Sequence, residues 1–191
     1  MVKFSHFSDV HLGGWKQKPL QDLNFQSFQK AVQISIDEKV DFILIAGDLF
    51  DTAYPSIEIL KETFAEFKKI KDSKIPCFII SGSHDYSVSG KTFLEVLEKG
   101  GFCKNVADFY EEDGKIKLNP TLFNGVAFYG YPGKKSGLDV ADLRRVEMNP
   151  SQGFKIFMLH TTIDKVKGDL PIEAIDTDSL PYADYYALGH I

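Results

Sequence analysis

The sequence predicts an α/β fold on the strength of three observations. In the N-terminal half, continuous apolar runs alternate with segments of helical periodicity, the pattern of parallel strands buried on both faces and joined by helices. Most apolar runs end in a short motif that contains glycine, an acidic residue or histidine. The chain has 191 residues, of which 43% are hydrophobic, enough for one sizeable core. We therefore expect one domain over residues 1–191.

The N-terminal half predicts three strands and three helices in alternation. Strands are expected at residues 2–8, 42–46 and 76–80, and helices at residues 22–38, 56–70 and 91–99. The first helix has an apolar face formed by Phe25, Phe28, Val32 and Ile36. This order implies parallel strands with functional groups at their carboxyl ends.

After Gly101 the pattern changes to short strands near residues 105–110, 115–118, 121–123 and 126–131. Asp113-Gly114 and Asn124-Gly125 are hairpin turn signals. A helix near 137–146 and strands at 154–159 and 184–188 complete the pattern. We expect these strands to form a second, more antiparallel sheet packed on the first.

Composition limits the functional classes. The formal net charge of −5 argues against a generally basic nucleic-acid binder, but not against a nucleic-acid substrate, because divalent metals supply positive charge locally. Cys77 lies in an apolar run and is expected to be a buried free thiol. There is neither a signal-peptide pattern nor a membrane-spanning apolar run, so a cytoplasmic location is expected.

Acidic residues and histidines follow the predicted strands. Asp9 and His11 are two residues apart, and on a strand such side chains share a face, so both could reach one cation. Asp48 follows the second strand and could bridge two cations. His160 and His190 follow later strands and could complete the second position. This mixture of carboxylate and imidazole suits Mn²⁺, Fe²⁺ or Zn²⁺ better than Ca²⁺.

Two such ions, about 3.5–4 Å apart, would hold a hydroxide nucleophile and clamp a phosphoryl group. His84 would then be a free imidazole that stabilises the transition state or protonates the leaving oxygen, with Asp85 orienting it. Taken singly, each motif is more often a solvated loop, a helix cap or a hydrogen-bonded structural histidine than a metal ligand. Their occurrence together at strand ends favours a two-metal hydrolase.

These motifs resemble those of the calcineurin-like metallophosphoesterase superfamily. The resemblance rests on Asp9-x-His11, Gly47-Asp48-x-x-Asp51, Gly82-Ser83-His84-Asp85, His160 and Gly189-His190. The flanking runs 7–13, 40–51 and 185–191 are similar to one branch, the DNA double-strand-break-repair nucleases of the meiotic recombination eleven type, called SbcD in bacteria. The resemblance covers essentially the whole chain.

The resemblance implies a four-layer α/β/β/α sandwich of two mixed sheets flanked by helices. It implies Mn²⁺-dependent exonuclease and endonuclease activity on DNA, a coiled-coil ABC-type ATPase partner of the SbcC kind, and a homodimer. By position, Asp9, His11 and Asp48 would hold the first metal. The second metal would be held by Asp48, Ser83, His160 and His190. His84 would be the transition-state histidine.

The sequence departs from the family pattern at two places. Ser83 stands where the family has an asparagine ligand, so the second metal site is expected to be weaker or water-bridged. The sequence ends at Ile191, one residue before the final histidine of the family motif Gly-His-x-His. We therefore expect a domain that is incomplete at its C-terminus, without the capping and ATPase-binding regions, and with little activity in this form.

Three residues are candidate substrate contacts. Lys16 and Lys18 follow the first motif, beside Trp15, and could contact a DNA backbone or simply lie in a solvated loop. Tyr86, where the family often has arginine, could stack on a base or pack in the core. Two other functions stay open: a phosphodiesterase or phosphatase for small molecules or phosphoproteins, and a scaffold with a degenerate metal site.

Overall fold

The computed structural model describes residues 2–87, 90–134 and 138–190. Four helices lie in these ranges, namely α1 (Lys18–Asp37), α2 (Ile57–Asp72), α3 (Leu94–Lys99) and α4 (Leu138–Leu143). The strands of the first half are β1 (Phe4–Phe7), β2 (Phe42–Ala46), β3 (Cys77–Ile80) and β4 (Lys104–Asn105). The later strands are β5 (Phe109–Glu112), β6 (Lys115–Leu118), β7 (Thr121–Phe123), β8 (Val126–Tyr131), β9 (Val146–Met148), β10 (Phe154–His160) and β11 (Tyr185–Gly189).

The first sheet has the order β1-β2-β3-β4, with every pair parallel. Strand β2 is buried at every position because the sheet is covered on both faces. Ile43 and Ile45 pack with the helices α1 and α2, whereas Phe42 and Leu44 pack against the second sheet. Successive side chains of β2 therefore contribute to two core layers in turn, one against the helices and one against the second sheet.

The second sheet has the order β11-β10-β8-β7. The expectation that it would be more antiparallel is wrong: β10 pairs in parallel with both neighbours, and only the β7–β8 hairpin is antiparallel. The connections between β8, β10 and β11 are long enough for parallel crossovers, whereas Asn124-Gly125 closes a tight hairpin.

A third sheet, of order β5-β6-β9, accounts for strands that we expected in the second sheet. Together with α4 it covers the outer face of the second sheet. The predicted helix 137–146 ends earlier than expected, at Leu143, and its last predicted residue belongs to β9. Val146 pairs with Ile116 of β6 and is buried there. The predicted α/β class, with several sheets flanked by helices, is confirmed.

Helix α1 begins at Lys18, earlier than the predicted residue 22. Pro19 fits the first turn, where the missing N–H leaves no hydrogen bond unmade. Among the described residues, none of the helices combines the length and apolar character that a membrane crossing requires. Cys77 is buried and unpaired, as predicted, and burial raises the pKa of its thiol well above the ordinary value.

The two four-stranded sheets are held together by an apolar layer that contains three buried phenylalanines. The Phe78 and Phe128 rings stack with centroids 4.0 Å apart. Phe42 meets Phe128 edge to face at 5.0 Å. Phe128 is wholly buried between the sheets, so its ring touches both partners and fixes the spacing of the layers.

Replacing Phe128 with alanine should therefore lower the free energy of unfolding by about 3–5 kcal/mol, because it leaves a cavity between the sheets. Urea denaturation followed by circular dichroism measures the change. Leu122→Ala is the control, since Leu122 is 68% exposed and its truncation should change stability by at most about 0.5 kcal/mol. A loss below about 1 kcal/mol for Phe128→Ala would contradict this packing.

Candidate metal centre

Four of the predicted ligands meet where the two four-stranded sheets end. Asp9 follows β1, Asp48 follows β2, His160 is the last residue of β10 and His190 follows β11. Each contributes one ligand atom to a group in which all such atoms lie within 4.8 Å of one another. The parallel strands thus bring their carboxyl ends to one edge of the sandwich, as the sequence predicted.

The loops after β1 and β2 stay hydrogen-bonded beyond the sheet. The N–H of Asp9 donates to the Gly47 carbonyl at 3.2 Å, and the N–H of His11 donates to the Asp48 carbonyl at 3.0 Å. Strand β1 itself ends at Phe7, so the expectation that Asp9 and His11 share one face of a strand is wrong. Their common direction comes from this loop pairing.

Four of the predicted ligands are among the eight described non-glycine residues that have positive φ. Asp9, His11, Asp48 and His190 all have φ between 47° and 64°, in the left-handed region that non-glycine residues rarely adopt. Such conformations cost about 1–3 kcal/mol each and persist only where the surrounding structure enforces them. At these four positions the strained backbone coincides with the carboxylates and imidazoles of the candidate site.

Asp48 and His160 form the buried contact at the centre of the group. The Asp48 Oδ2 lies 3.0 Å from the His160 Nε2, and both side chains are about 1% exposed. The His160 Nδ1 lies 2.8 Å from the Ala46 carbonyl, to which it donates. This bond fixes the tautomer in which Nε2 is free to bind a metal.

The pKa values of this pair move apart. Burial raises the pKa of Asp48, but the hydrogen bonds and charges of His160 and His84 together outweigh it and lower the pKa overall. Burial lowers the pKa of His160, and the opposing contact with Asp48 raises it above the ordinary value. The imidazolium form of His160 carries a second proton on Nε2, which a metal bound there would displace, so we expect metal binding to release a proton.

A second group contains His11, Asp51 and His84, again with ligand atoms within 4.8 Å. The His11 Nδ1 faces the Asp51 Oδ1 at 3.2 Å, while its Nε2 lies 3.8 Å from the Asp48 Oδ2. The His84 Nδ1 lies 2.8 Å from the Asp51 carbonyl. Asp51 thus contacts both imidazoles. The motif Gly47-Asp48-x-x-Asp51 indicated that Asp51 lies near the site, but not which residues it contacts.

Asp48 belongs to the first group and also contacts residues around the second. Its Oδ1 accepts the backbone N–H of His84 at 2.8 Å, and its Oδ2 accepts the Ser83 hydroxyl at 3.5 Å. The Ser83 hydroxyl is therefore directed at the Asp48 carboxylate. The carboxylates and imidazoles of the two groups, with Asp48 between them, are donors that divalent cations accept.

The expectation that Asp85 orients His84 is wrong. Its Oδ1 accepts the N–H of Phe50 at 3.1 Å and its Oδ2 accepts the N–H of Gly82 at 2.8 Å. Burial raises its pKa to about 6. Asp85 ties the loop after β2 to the loop after β3, while the Asp51 carbonyl holds the His84 ring.

The two sheets also meet through His190 and Asp9. The backbone N–H of His190 donates to both oxygens of the Asp9 carboxylate, at 3.2 and 3.0 Å. The His190 and His160 rings lie 5.2 Å apart. Asp9, at the end of the first sheet, is thereby held against the loop that follows the second sheet.

Two cavities flank the metal centre and share Ser83, Lys134 and His190. The acidic cavity, about 240 Å³, also includes Asp139 and Glu173. The remaining wall of the aromatic cavity, about 470 Å³, is formed by Asp51, Thr52, Ala53, Tyr54, His84, Tyr86 and Ser87.

Of the expected substrate contacts, Tyr86 lies in the wall of the aromatic cavity, whereas Lys16 and Lys18 line neither cavity. Lys18 is instead paired with Asp22 at 2.8 Å. Lys134, three residues after the end of β8, is a cation that sequence reasoning missed. The sequence feature that could have identified Lys134 is its position just after a strand, as for the predicted ligands.

Gly47 makes room for the buried histidine. Its φ is +88°, and a Cβ there would lie 2.3 Å from the His160 Nδ1. Gly47→Ala should therefore displace the imidazole and weaken Mn²⁺ binding by roughly 10–100-fold, as loss of an orienting contact does. Calorimetric titration with Mn²⁺ measures it.

The control is Gly114→Ala, which carries a similar φ of +74° but meets nothing within 4 Å. It isolates the backbone cost from the displacement of His160. Equal Mn²⁺ affinity in the two variants would contradict the role assigned to Gly47.

The chain is similar in sequence to DNA double-strand break repair proteins and to a metallophosphoesterase. The chain is 32% identical over 208 residues to the DNA double-strand break repair protein Mre11 of Saccharolobus solfataricus, and 26% identical over 213 residues to that of Archaeoglobus fulgidus. It is 28% identical over 206 residues to the uncharacterized metallophosphoesterase YhaO of Bacillus subtilis. All of this chain is covered in each case, but it spans only 46–49% of the relatives' length.

The family model for calcineurin-like phosphoesterases matches residues 2–191. That range includes every acidic residue and histidine of the metal centre. The chain belongs to the calcineurin-like phosphoesterase family.

Proposed function

We propose that this protein is a divalent-metal-dependent nuclease that hydrolyses DNA phosphodiesters in double-strand-break repair. The observation that carries the proposal is the buried Asp48 carboxylate, which lies within 4 Å of imidazoles on both sides, His160 and His11. The names of the archaeal relatives support DNA as the substrate and repair as the process.

Asp9, His11 and Asp48 would hold one cation, and Asp48, Ser83, His160 and His190 the other. Mn²⁺ is the metal we propose, because mixed oxygen and imidazole ligands suit it. When bound, such a pair supplies Lewis acidity at the phosphoryl group and lowers the pKa of water. The protein would hold these ligands in place through neighbouring groups. The Ala46 carbonyl orients His160, and the Asp51 carboxylate faces the Nδ1 of His11.

His84 is the proposed transition-state residue. Its Nδ1 donates to the Asp51 carbonyl, so its Nε2 is left for the substrate. The ring is about half exposed and lies in the wall of the aromatic cavity. From there the imidazole can hydrogen-bond a phosphoryl oxygen or protonate the leaving oxygen. Asp51 positions the ring and does not itself reach the phosphate in this proposal.

Hydrolysis of small phosphoesters is the second candidate. It is favoured by the net charge of −5 and by the walls of the two cavities, in which Lys134 is the one Lys or Arg among the described residues. A polyanionic substrate generally meets more cations than this. Similarity to the Bacillus subtilis metallophosphoesterase is compatible with either substrate class.

The ABC-type ATPase partner and the homodimer stay predictions from the family resemblance. The cytoplasmic location, which was expected from the sequence pattern and not from the resemblance, also stays a prediction. The chain spans about half the length of the relatives it matches, so the partners of the whole protein belong to the same proposal.

Product analysis tests the proposal. Protein expressed from the complete gene should, with Mn²⁺, cleave linear duplex DNA more efficiently than a chromogenic phosphodiester such as bis(p-nitrophenyl) phosphate. His84→Gln should lower kcat by roughly 10²–10⁴-fold and leave Mn²⁺ binding intact.

Turnover of the chromogenic ester without DNA cleavage would instead support the small-molecule alternative. Loss of bound Mn²⁺ in His84→Gln would make His84 a ligand and contradict its proposed role.

A further inference from the structure

The aromatic cavity contains two tyrosines beside the proposed reaction centre. Tyr54 is 70% exposed, and Tyr86 is partly buried. His84 and His190 lie in the same wall, so any group bound between the tyrosines and the histidines adjoins the phosphate being hydrolysed. The metal chemistry described above uses neither tyrosine.

We propose that the aromatic cavity binds one unstacked nucleobase of the nucleic acid, next to the phosphate being hydrolysed, by contact with Tyr54 and Tyr86. The inference rests on the proposed nuclease function and adds the part of the substrate that this cavity recognises. Every nucleobase has a π face, so stacking on tyrosine recognises a base without selecting its identity.

Tyr86 is the fixed side of this subsite. Its backbone forms a bridge with Thr92, and its hydroxyl is hydrogen-bonded to Ser81. A ring held in this way binds a base with little loss of conformational freedom. Tyr54 is the exposed side, at the loop between β2 and α2, where it can approach a base that has already entered.

The size of the cavity agrees with this occupant. Its volume of about 470 Å³ is within the range of about 300–1,000 Å³ that small-molecule sites occupy. A duplex end cannot enter such a space intact, so the terminal base must leave its stack, which costs least where the pair is mismatched or frayed.

Charge favours the aromatic cavity over the acidic one for the strand. Asp139 and Glu173 in the acidic cavity repel a phosphodiester chain. In the aromatic cavity the Asp51 carboxylate is turned toward His11, 3.2 Å away. The polyanion is therefore directed toward the tyrosines.

Lys134 supplies the cation where the two cavities join. Its ammonium contacts the Asp142 carboxylate, and Arg145 donates to the same carboxylate at 2.7 Å. Asp142 is thus shared by two cations, and Arg145 also lies 3.7 Å from the Glu111 carboxylate. Lys134 can contact a phosphate that enters the aromatic cavity.

Calorimetry with simple probes tests the subsite in the Mn²⁺-loaded protein. We compare deoxyadenosine 5′- and 3′-monophosphates with deoxyribose 5-phosphate, which lacks the base. At least one nucleotide should bind about 5–150-fold more tightly than deoxyribose 5-phosphate, the range that base stacking gives. The double variant Tyr54→Ala/Tyr86→Leu should lose this preference.

Two controls separate stacking from other effects. Tyr86→Phe keeps the ring and should retain the preference. Tyr182→Ala removes a tyrosine that is 73% exposed but lies in neither cavity wall, and it should also retain it. If the double variant does not fold, the single variants Tyr54→Ala and Tyr86→Leu, each expected to reduce the preference, take its place.

Equal binding of nucleotide and sugar phosphate by the unmodified protein would overturn the proposal, as would a preference that survives in the folded double variant. The outcome is independent of DNA cleavage. A protein that prefers nucleotides but leaves duplex DNA intact would refute the nuclease proposal and keep this subsite.

Discussion

The hydrogen bond between Asp48 and His160 joins the two halves of the molecule at the metal centre. Asp48 follows the second strand of the first sheet, and His160 ends a strand of the second. Their 3.0 Å contact is buried, and the same imidazole donates to the Ala46 carbonyl of the first sheet. A buried charged pair is maintained only with such complete hydrogen bonding, so the packing of the sheets and the geometry of the site depend on each other.

The surrounding loops are shaped to keep this contact. Four of the predicted ligands have left-handed backbone conformations, and glycines lie against them where a side chain would collide. A Cβ at Gly82, for example, would lie 2.2 Å from the Asp48 Oδ1. The phenylalanine layer between the sheets stabilises the sandwich and offsets the strain at its edge. Stability and function are therefore divided between the interior and one edge of the fold.

The sequence predicted the elements that depend on local pattern. The apolar run at residues 42–46 and its ending at Gly47 placed Asp48 correctly, because a buried parallel strand is recognisable from composition alone. The meeting of Asp9, Asp48, His160 and His190 also followed from the rule that parallel strands end at one edge. Strand pairing beyond residue 104 did not follow, since register and sheet membership depend on distant partners such as Ile116 and Val146.

Side-chain partners were the least predictable part of the site. Sequence proximity suggested that Asp85 orients His84, but Asp85 turns inward to two backbone amides while the Asp51 carbonyl reaches the ring. Lys16 and Lys18 were chosen for their position after the first motif, yet Lys134 lines both cavities. Such contacts are set by loop conformation, which residue spacing does not encode.

The central claim is that Asp48 is shared by two metal positions. A Mn²⁺ titration followed by electron paramagnetic resonance, which counts free ions, tests it most directly. The protein should bind two Mn²⁺ per chain, and Asp48→Asn should weaken both sites, with circular dichroism showing that the fold is retained. Two ions bound by Asp48→Asn with unchanged affinity would contradict the claim.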